Sequence, residues 1–429
     1  MPNITITMPT FHAGQVEVYR NRSDRNAVRC GRRFGKTKMM EGIAINSGAR
    51  GRKVGLFTPE HKQWSEPYVE ILSALAPLKT EASKTAGIIR LSNGGQIDFW
   101  SLIDNELAGR GREYDDVLVD EAAFTKPVQM QNIWSKSIEP TMATRPNPVV
   151  WVFSTPNGND PTNFFYEICN NPERKFKQHY APSSVNPLVK PEYLDEKRRE
   201  VHPMIFKQEY LAEFVDFSGD AFFLEEWLLQ DGQPVPYPAV CDRVFAVIDT
   251  AVKTGSGNDG TAVSYWASSQ FVGHPLVCLD WDVIQIDGAM LETWIPTVLK
   301  RLEDLARECR ARFGSNGAYI EDAQSGSILL QQCAMRGLPA QALPQGLTSA
   351  GKDARAINAS GAVFQGKVKW SRYAFEKQTV FKGTSRNHML AQVYGFRVGD
   401  KDAAKRADDL LDTFTYAVAI ALGDSNGVT

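Results

Sequence analysis

The chain reads as α/β throughout and as two domains, the first built on a doubly wound, mostly parallel sheet and the second on a mixed sheet. Three observations predict this. A Gly-rich, basic turn, Arg29-Cys30-Gly31-Arg32-Arg33-Phe34-Gly35-Lys36-Thr37, joins a short apolar run to a run with helical spacing. Short apolar runs ending in carboxylates recur in both halves and alternate with helical segments: Val117-Leu118-Val119-Asp120-Glu121, then Val244-Phe245-Ala246-Val247-Ile248-Asp249 and Ala318-Tyr319-Ile320-Glu321-Asp322. Between the halves, Asp231-Gly232-Gln233-Pro234-Val235-Pro236-Tyr237-Pro238 has the Pro/Gly content of a connection. The boundaries that follow are 1–215 for the first domain, 216–240 for the connection and 241–429 for the second domain.

The 429 residues suffice for two ordinary cores, and 43% apolar with 23% charged residues is a globular composition. No apolar run approaches the roughly 20 residues of a membrane span, and Met1-Pro2-Asn3-Ile4-Thr5 lacks a basic segment followed by an apolar one, so the expected compartment is the cytoplasm, with no membrane partner. Lys plus Arg total 48 against 50 for Asp plus Glu, so nucleic-acid binding has to come from local patches. Six cysteines without a C-x-x-C pair argue against a zinc site or a disulfide framework.

In chain order, Gln15 precedes the first strand, where a glutamine amide can both donate to and accept from adenine. Ala27-Val28 ends a buried strand, and Met39-Met40, Ile43 and Ala44 start a helix, so Gly31 to Thr37 lies at a helix N-terminus. Free N–H groups and the positive dipole end hold polyphosphate there. Gly31, Arg32, Arg33 and Gly35 shape the cradle, Lys36 reaches the β/γ-phosphates and Thr37 ligates Mg²⁺. Cys30 stands where the regular pattern has Gly. Lys53 to Pro59 is a short strand and about Gln63 to Leu75 a helix, while Ile88 to Trp100 alternates around Asn93-Gly94-Gly95 as a hairpin does. Asp120 and Glu121 end an apolar strand at the rim where open α/β sheets bind ligands; Asp120 suits Mg²⁺ and Glu121 suits the general base. Val149 to Phe153 ends in Ser154-Thr155-Pro156-Asn157-Gly158, whose small polar groups can sense a γ-phosphate and relay its loss.

In this order the deviant loop from Cys30 to Thr37, Gly109-Arg110-Gly111-Arg112-Glu113-Tyr114-Asp115 and Ser154 to Gly158 resemble the large terminase subunit of tailed bacteriophages, over most of the chain. The resemblance implies a P-loop, RecA/ASCE-like ATPase domain that uses ATP with Mg²⁺ to move double-stranded DNA into a procapsid. It implies a non-Gly first loop position and an arginine finger from a neighbouring subunit, at Arg110 with Arg112 and Arg145 as alternates. The implied partners are a small terminase subunit and the procapsid portal protein. A homo-oligomeric ring on the portal is implied, with a monomer as the isolated state, in the host cytoplasm and transiently docked on the procapsid.

In the second half, Val244 to Asp249 is followed by Gly255, Gly257 and Gly260 and then by Thr261 to Trp266 and Val277 to Asp282, a meander; a helix from about Leu291 to Phe313 leads to Glu321-Asp322. Near the end, Arg406-Ala407-Asp408-Asp409-Leu410-Leu411-Asp412 opens a helix whose i to i+3 and i+4 spacing puts Asp408 or Asp409 on one face with Asp412. Strand acid, strand acid, helix acid is the layout of an RNase H-like α/β nuclease domain, in which the repulsion of packed carboxylates is relieved by two Mg²⁺ or Mn²⁺ ions. The resemblance implies the same nuclease on Asp249, on Asp322 or Glu321, and on Asp409 or its neighbours Asp408 and Asp412. Lys367, Lys369 and Arg372, with Lys377, Lys382, Arg386 and His388 beyond, form a basic, aromatic-bearing stretch suited to a DNA backbone. Two rivals remain from sequence: a helicase-like or repair ATPase fused to a nuclease, and a DNA-binding assembly subunit that does not cut.

Overall fold

The computed structural model describes residues 4–103, 105–217, 221–250, 260–286, 290–323, 325–400 and 407–423. Met1, Pro2, Asn3, Gly255, Gly257 and Arg406, which figure in the sequence reading, lie outside the described residues. The chain divides into two compact units, Met1–Lys197 with Pro203–Asp216, and Arg198–His202 with Phe217–Thr429.

The first unit holds strands β1 (Arg25–Cys30), β2 (Lys53–Thr58), β3 (Lys79–Ser83), β4 (Ile88–Leu91), β5 (Gln96–Ser101), β6 (Asp116–Val119), β7 (Val149–Ser154) and β8 (Lys177–Ala181). They form one sheet in the order β3-β4-β5-β2-β6-β7-β1-β8, parallel from β5 to β8 and antiparallel at the β3-β4-β5 edge. The Asn-Gly-Gly hairpin is that edge, with Ile89 opposite Ile97. Strand residues alternate between two apolar layers. Val28, Leu56, Leu118 and Phe153 face the helix Lys36–Ala49 through Met40 and Ile43, while Ala27, Phe57, Val117, Val119 and Val152 face Trp134, Phe164 and Phe165. Burial on both faces explains why these strands read as unbroken apolar runs.

The strand order sets the chemistry. β7 lies between β1 and β6, so its carboxyl end falls between the phosphate loop that follows β1 and the acids that follow β6.

The second unit holds β9 (Arg243–Asp249), β10 (Thr261–Ser268), β11 (Leu276–Ile284), β12 (Ser315–Ile320), β13 (Ala340–Ala342) and β14 (Val368–Trp370) in the order β13-β12-β9-β10-β11-β14. The meander β9-β10-β11 is antiparallel, and β12, β13 and β14 join in parallel, giving a mixed sheet. A two-stranded ribbon, β15 (Thr379–Phe381) and β16 (Thr384–Arg386), follows. The helix Leu291–Glu308 buries Ile295, Val298, Leu302 and Leu305 at helical spacing and packs against β9 and β12. The helix Asp409–Leu422 lies across β9, β10 and β11, with Phe414 against Trp266, Trp370 and Phe223. The stretch read from composition as a connection packs into this second unit instead. Phe222, Phe223 and Leu228 are fully buried, and Val235 exchanges backbone hydrogen bonds with Trp370 and Arg372 beside β14.

Candidate nucleotide site and acidic cluster

β1 ends at Cys30, whose buried thiol bonds weakly back to Val28 O; burial pushes it up to about 12, so it is a packed group without reactivity. Gly31 follows in a space with no room for a side chain, because a Cβ there would lie 2.6 Å from Ser183 Oγ and from Tyr210 O. Arg33 (φ 64°) and Gly35 (φ 93°) take left-handed conformations that turn the loop into the helix Lys36–Ala49. The loop is braced from outside: Ser183 Oγ donates to Arg32 O, Asn186 Nδ2 donates to Arg33 O, and the Arg32 guanidinium pairs with Glu209 at 3.0 Å. Thr37 is exposed in the first helical turn. Gln15, expected to present its amide to adenine, is 3% exposed and spans the loop from behind: Nε2 donates to Gly35 O at 2.9 Å and Oε1 accepts from His12 N at 3.0 Å. Both ends of the amide have protein partners, so the observed arrangement makes Gln15 a brace of the loop.

The Lys36 ammonium lies 3.1 Å from Glu121 Oε1 and donates to Thr155 Oγ1 at 2.8 Å. Burial acts to lower its pKa, but the Glu121 and Asp120 charges outweigh burial and hold it above the usual lysine value. Asp120 is buried and pushed up to about 7, by burial first and then by the Glu121 charge, against the pull of Lys36. Glu121 has φ 48°, and its Oε2 accepts from Ser154 Oγ at 3.3 Å. Ser154 Oγ also accepts from Ala123 N, and Asn157 Nδ2 donates to Ala123 O. Gly158 N then donates to Gln208 Oε1, and Gln208 Nε2 to Glu209, the partner of Arg32. The structure therefore brings together Lys36, Asp120, Glu121, Ser154, Thr155 and Asn157. The closing links through Gln208 and Glu209 have no local sequence signal.

The three arginines of the finger expectation differ. Arg145 forks bidentately onto buried Asp115, and Arg112 lies 3.5 Å from Asp98, whereas Arg110 is exposed on its Gly-flanked loop.

In the second unit, β9 ends at Asp249, the chain after β12 begins with Glu321, and the helix Asp409–Leu422 supplies Asp409 and Asp412. The Asp249 carboxyl is held well above the usual carboxylate range, by burial first and then by the charges of Asp412, Glu321 and Asp409, with Arg355 opposing. Asp409 Oδ2 accepts from Gly260 N, and Tyr416 OH donates to Glu321 Oε1. Asp322 turns away, exposed and bonded to Ser327, so Glu321 is the member of that pair in the cluster. Arg355 pairs with Asp412, and Lys352 with Asp408 and, at 3.5 Å, Asp412. Lys352 and Arg355 escaped the sequence reading, although their spacing of three places them on one helix face. Among the described residues, no three His, Cys, Asp or Glu side chains converge as they stand on a metal position. The donor set nevertheless fits hard divalent cations: it is all carboxylate, and it crowds negative charge around a buried Asp249.

No protein-family profile matches the chain. In sequence it is 31% identical over 130 residues to the large terminase subunit of Thermus phage G20c, and equally so to that of Thermus virus P23-45. The match covers 26% of this chain and 25% of each relative. In structure it is similar to the large terminase of a thermophilic bacteriophage, with a TM-score of 0.59 at 12% identity, over 96% of this chain and 99% of that one. The same phage protein in complex with ATP-gamma-S aligns with a TM-score of 0.57. The fold is that of a large terminase subunit.

Within this terminase fold the basic stretch is divided. Lys369 is buried and donates to Trp227 O and Leu229 O, capping a short helix, which corrects the expectation that it meets DNA: a phosphate has no access to it. Lys367 and Arg372 are exposed. Lys377 is committed to Asp280, and His388 is buried between Thr379 O and Thr384 O. Lys382 and Arg386, on the β15–β16 ribbon, line an open cavity of about 530 Å³ with Lys352, Arg397 and Asp408.

Proposed function

We propose that this chain is the large subunit of a viral DNA-packaging terminase: ATP hydrolysis in the first unit drives double-stranded DNA into a procapsid, and a metal-dependent endonuclease in the second cuts the concatemer. The observation that carries the reading is the position of Lys36 Nζ, held between Glu121 Oε1 and Thr155 Oγ1, at the end of a phosphate loop. In this reading the backbone N–H groups from Gly31 to Lys36 and the side chains of Arg32 and Arg33 take the polyphosphate, with Thr37 and Asp120 holding Mg²⁺. The γ-phosphate draws Lys36 away from Glu121, which is then free to take the proton of the attacking water. The same displacement releases Thr155, and β7 with Asn157 carries the change onward. Arg110 is the arginine free to reach a neighbouring subunit.

Asp249, Glu321, Asp409 and Asp412 would hold two Mg²⁺ or Mn²⁺ ions, which would supply an activated water and charge stabilisation at the cut phosphodiester. Gly260 N and Tyr416 OH orient Asp409 and Glu321. The partners in this reading are a small terminase subunit and the portal, with a ring of copies docked on the procapsid in the host cytoplasm. Plasmid nicking with Mn²⁺ and ATP hydrolysis test it together. Asp249→Ala should abolish nicking and spare hydrolysis, and Glu121→Ala the reverse; nicking that persists in the first variant, or hydrolysis in the second, overturns that half of the assignment. Strand displacement on a forked duplex would point to a helicase instead.

A further inference from the structure

The cations inside the acidic cluster invite a separate explanation. Three partly buried arginines elsewhere meet carboxylates through two nitrogens: Arg52 binds Asp116, Arg145 binds Asp115 and Arg174 binds Glu167, each through Nε and Nη2. Such a fork satisfies both donors and locks the pair. Arg355 differs. It reaches Asp412 through Nη2 alone and Ala350 O through Nη1, while its Nε is buried with no partner. A buried orphan donor is a standing cost, which a pair built only for stability would avoid. The guanidinium also lies 4.7 Å over the ring of Tyr416, whose hydroxyl holds Glu321, so a single cation touches both sides of the cluster. Lys352, on the same helix Lys352–Phe364, pairs with Asp408 and Asp412 and borders the open cavity, into which its long side chain can swing.

We infer that Arg355, seconded by Lys352, is the resident counter-ion of the acidic cluster: it neutralises Asp412 and Asp408 in the metal-free chain and gives way when a divalent cation binds. The inference rests on the nuclease reading above and makes Arg355 a positioning residue, not a metal ligand. Carboxylates packed this closely repel, and the two cations keep them assembled until metal takes over that charge. The corollary is competition, since each cation must be displaced before the carboxylate it holds can turn to the metal.

Titration calorimetry of Mn²⁺ into the full chain, without DNA or nucleotide, tests this. Arg355→Gln should bind Mn²⁺ about tenfold more tightly than the parent, the scale of one lost competing charge contact. It should also melt earlier without metal and gain more from metal. Arg355→Lys should stay near the parent, and Lys352→Gln should tighten binding to a lesser degree. Equal or weaker Mn²⁺ affinity in Arg355→Gln overturns the inference while leaving the nuclease reading intact. Should that variant fail to fold, Lys352→Gln decides by the same criterion. Absence of Mn²⁺ binding in the parent and in every variant removes the nuclease reading, and this inference with it.

Discussion

Lys36 donates to Thr155 across 2.8 Å, tying the first residue of the loop helix to the end of a strand that is far from it in sequence. The bond exists because β7 sits beside β1, and any shift of the ammonium away from Thr155 would break it. Thr155→Val keeps the shape and removes the acceptor. We expect ATP turnover to fall about tenfold, in line with ~1.5 kcal/mol for a bond to a charged group, and Thr155→Ser to restore it. Steady-state hydrolysis assays check this; full turnover in the valine variant would sink the role.

Gly31→Ala forces a methyl group to within 2.6 Å of Ser183 Oγ and Tyr210 O and 2.9 Å of Ser183 N, and two of those three atoms are backbone. The expected loss is about 1–3 kcal/mol of stability in the first unit, with nucleotide binding impaired. Denaturant unfolding and binding of a fluorescent ATP analogue report the two effects, and an alanine variant of parental stability would contradict the packing described.

Arg145 and Arg110 should separate cleanly. Removing Arg145 leaves Asp115 buried without its bidentate partner, so Arg145→Ala should lose about 3 kcal/mol of stability. Arg110→Ala should melt like the parent and lose hydrolysis only in the concentration range where copies associate. If Arg110→Ala changes neither stability nor the concentration dependence of hydrolysis, the finger lies elsewhere.

Two buried histidines, one in each unit, predict acid sensitivity. Burial pushes His179, beside Asn26, and His202, stacked on Phe222, down from 6.5 to about 4. Between those values the unfolded chain binds the protons that the folded chain refuses. Stability is therefore fully present above about pH 6.5 and declines as the pH falls toward 4, by on the order of 3 kcal/mol per histidine. Denaturation midpoints at neutral pH and near pH 5 measure the loss, and His179→Gln should flatten the first unit's share. A midpoint that does not move between the two pH values would refute the assignment.

Much of this architecture is written locally. Val117 to Glu121 and Val244 to Asp249 announce their strands and their acids because apolar runs and terminal carboxylates are properties of neighbours in sequence. Strand order is not local, and no residue near Ser154 signals that β7 will insert between β1 and β6. Direction of side chains is equally hidden: Glu321 and Asp322 are adjacent, yet only one faces Asp249, and Lys369 reads as a surface cation until β14 turns it onto the carbonyls of Trp227 and Leu229. Arg355 is missed for the same reason, since its partner lies 57 positions away.

Glu121 carries its carboxylate on a left-handed backbone, φ 48°, which an ordinary L-residue adopts only at a penalty of about 1 kcal/mol or more. Glycine would relieve that penalty and forfeit the carboxylate. The turn that follows is latched by the Ser154 hydroxyl on Ala123 N and by two amides, Asn157 and Asn163, on Ala123 O. The Glu121 carboxylate is thus carried by a strained main-chain turn between β6 and the short helical turn Ala122–Phe124. Three side chains converge on one peptide residue, Ala123, and fix the main chain that carries Glu121.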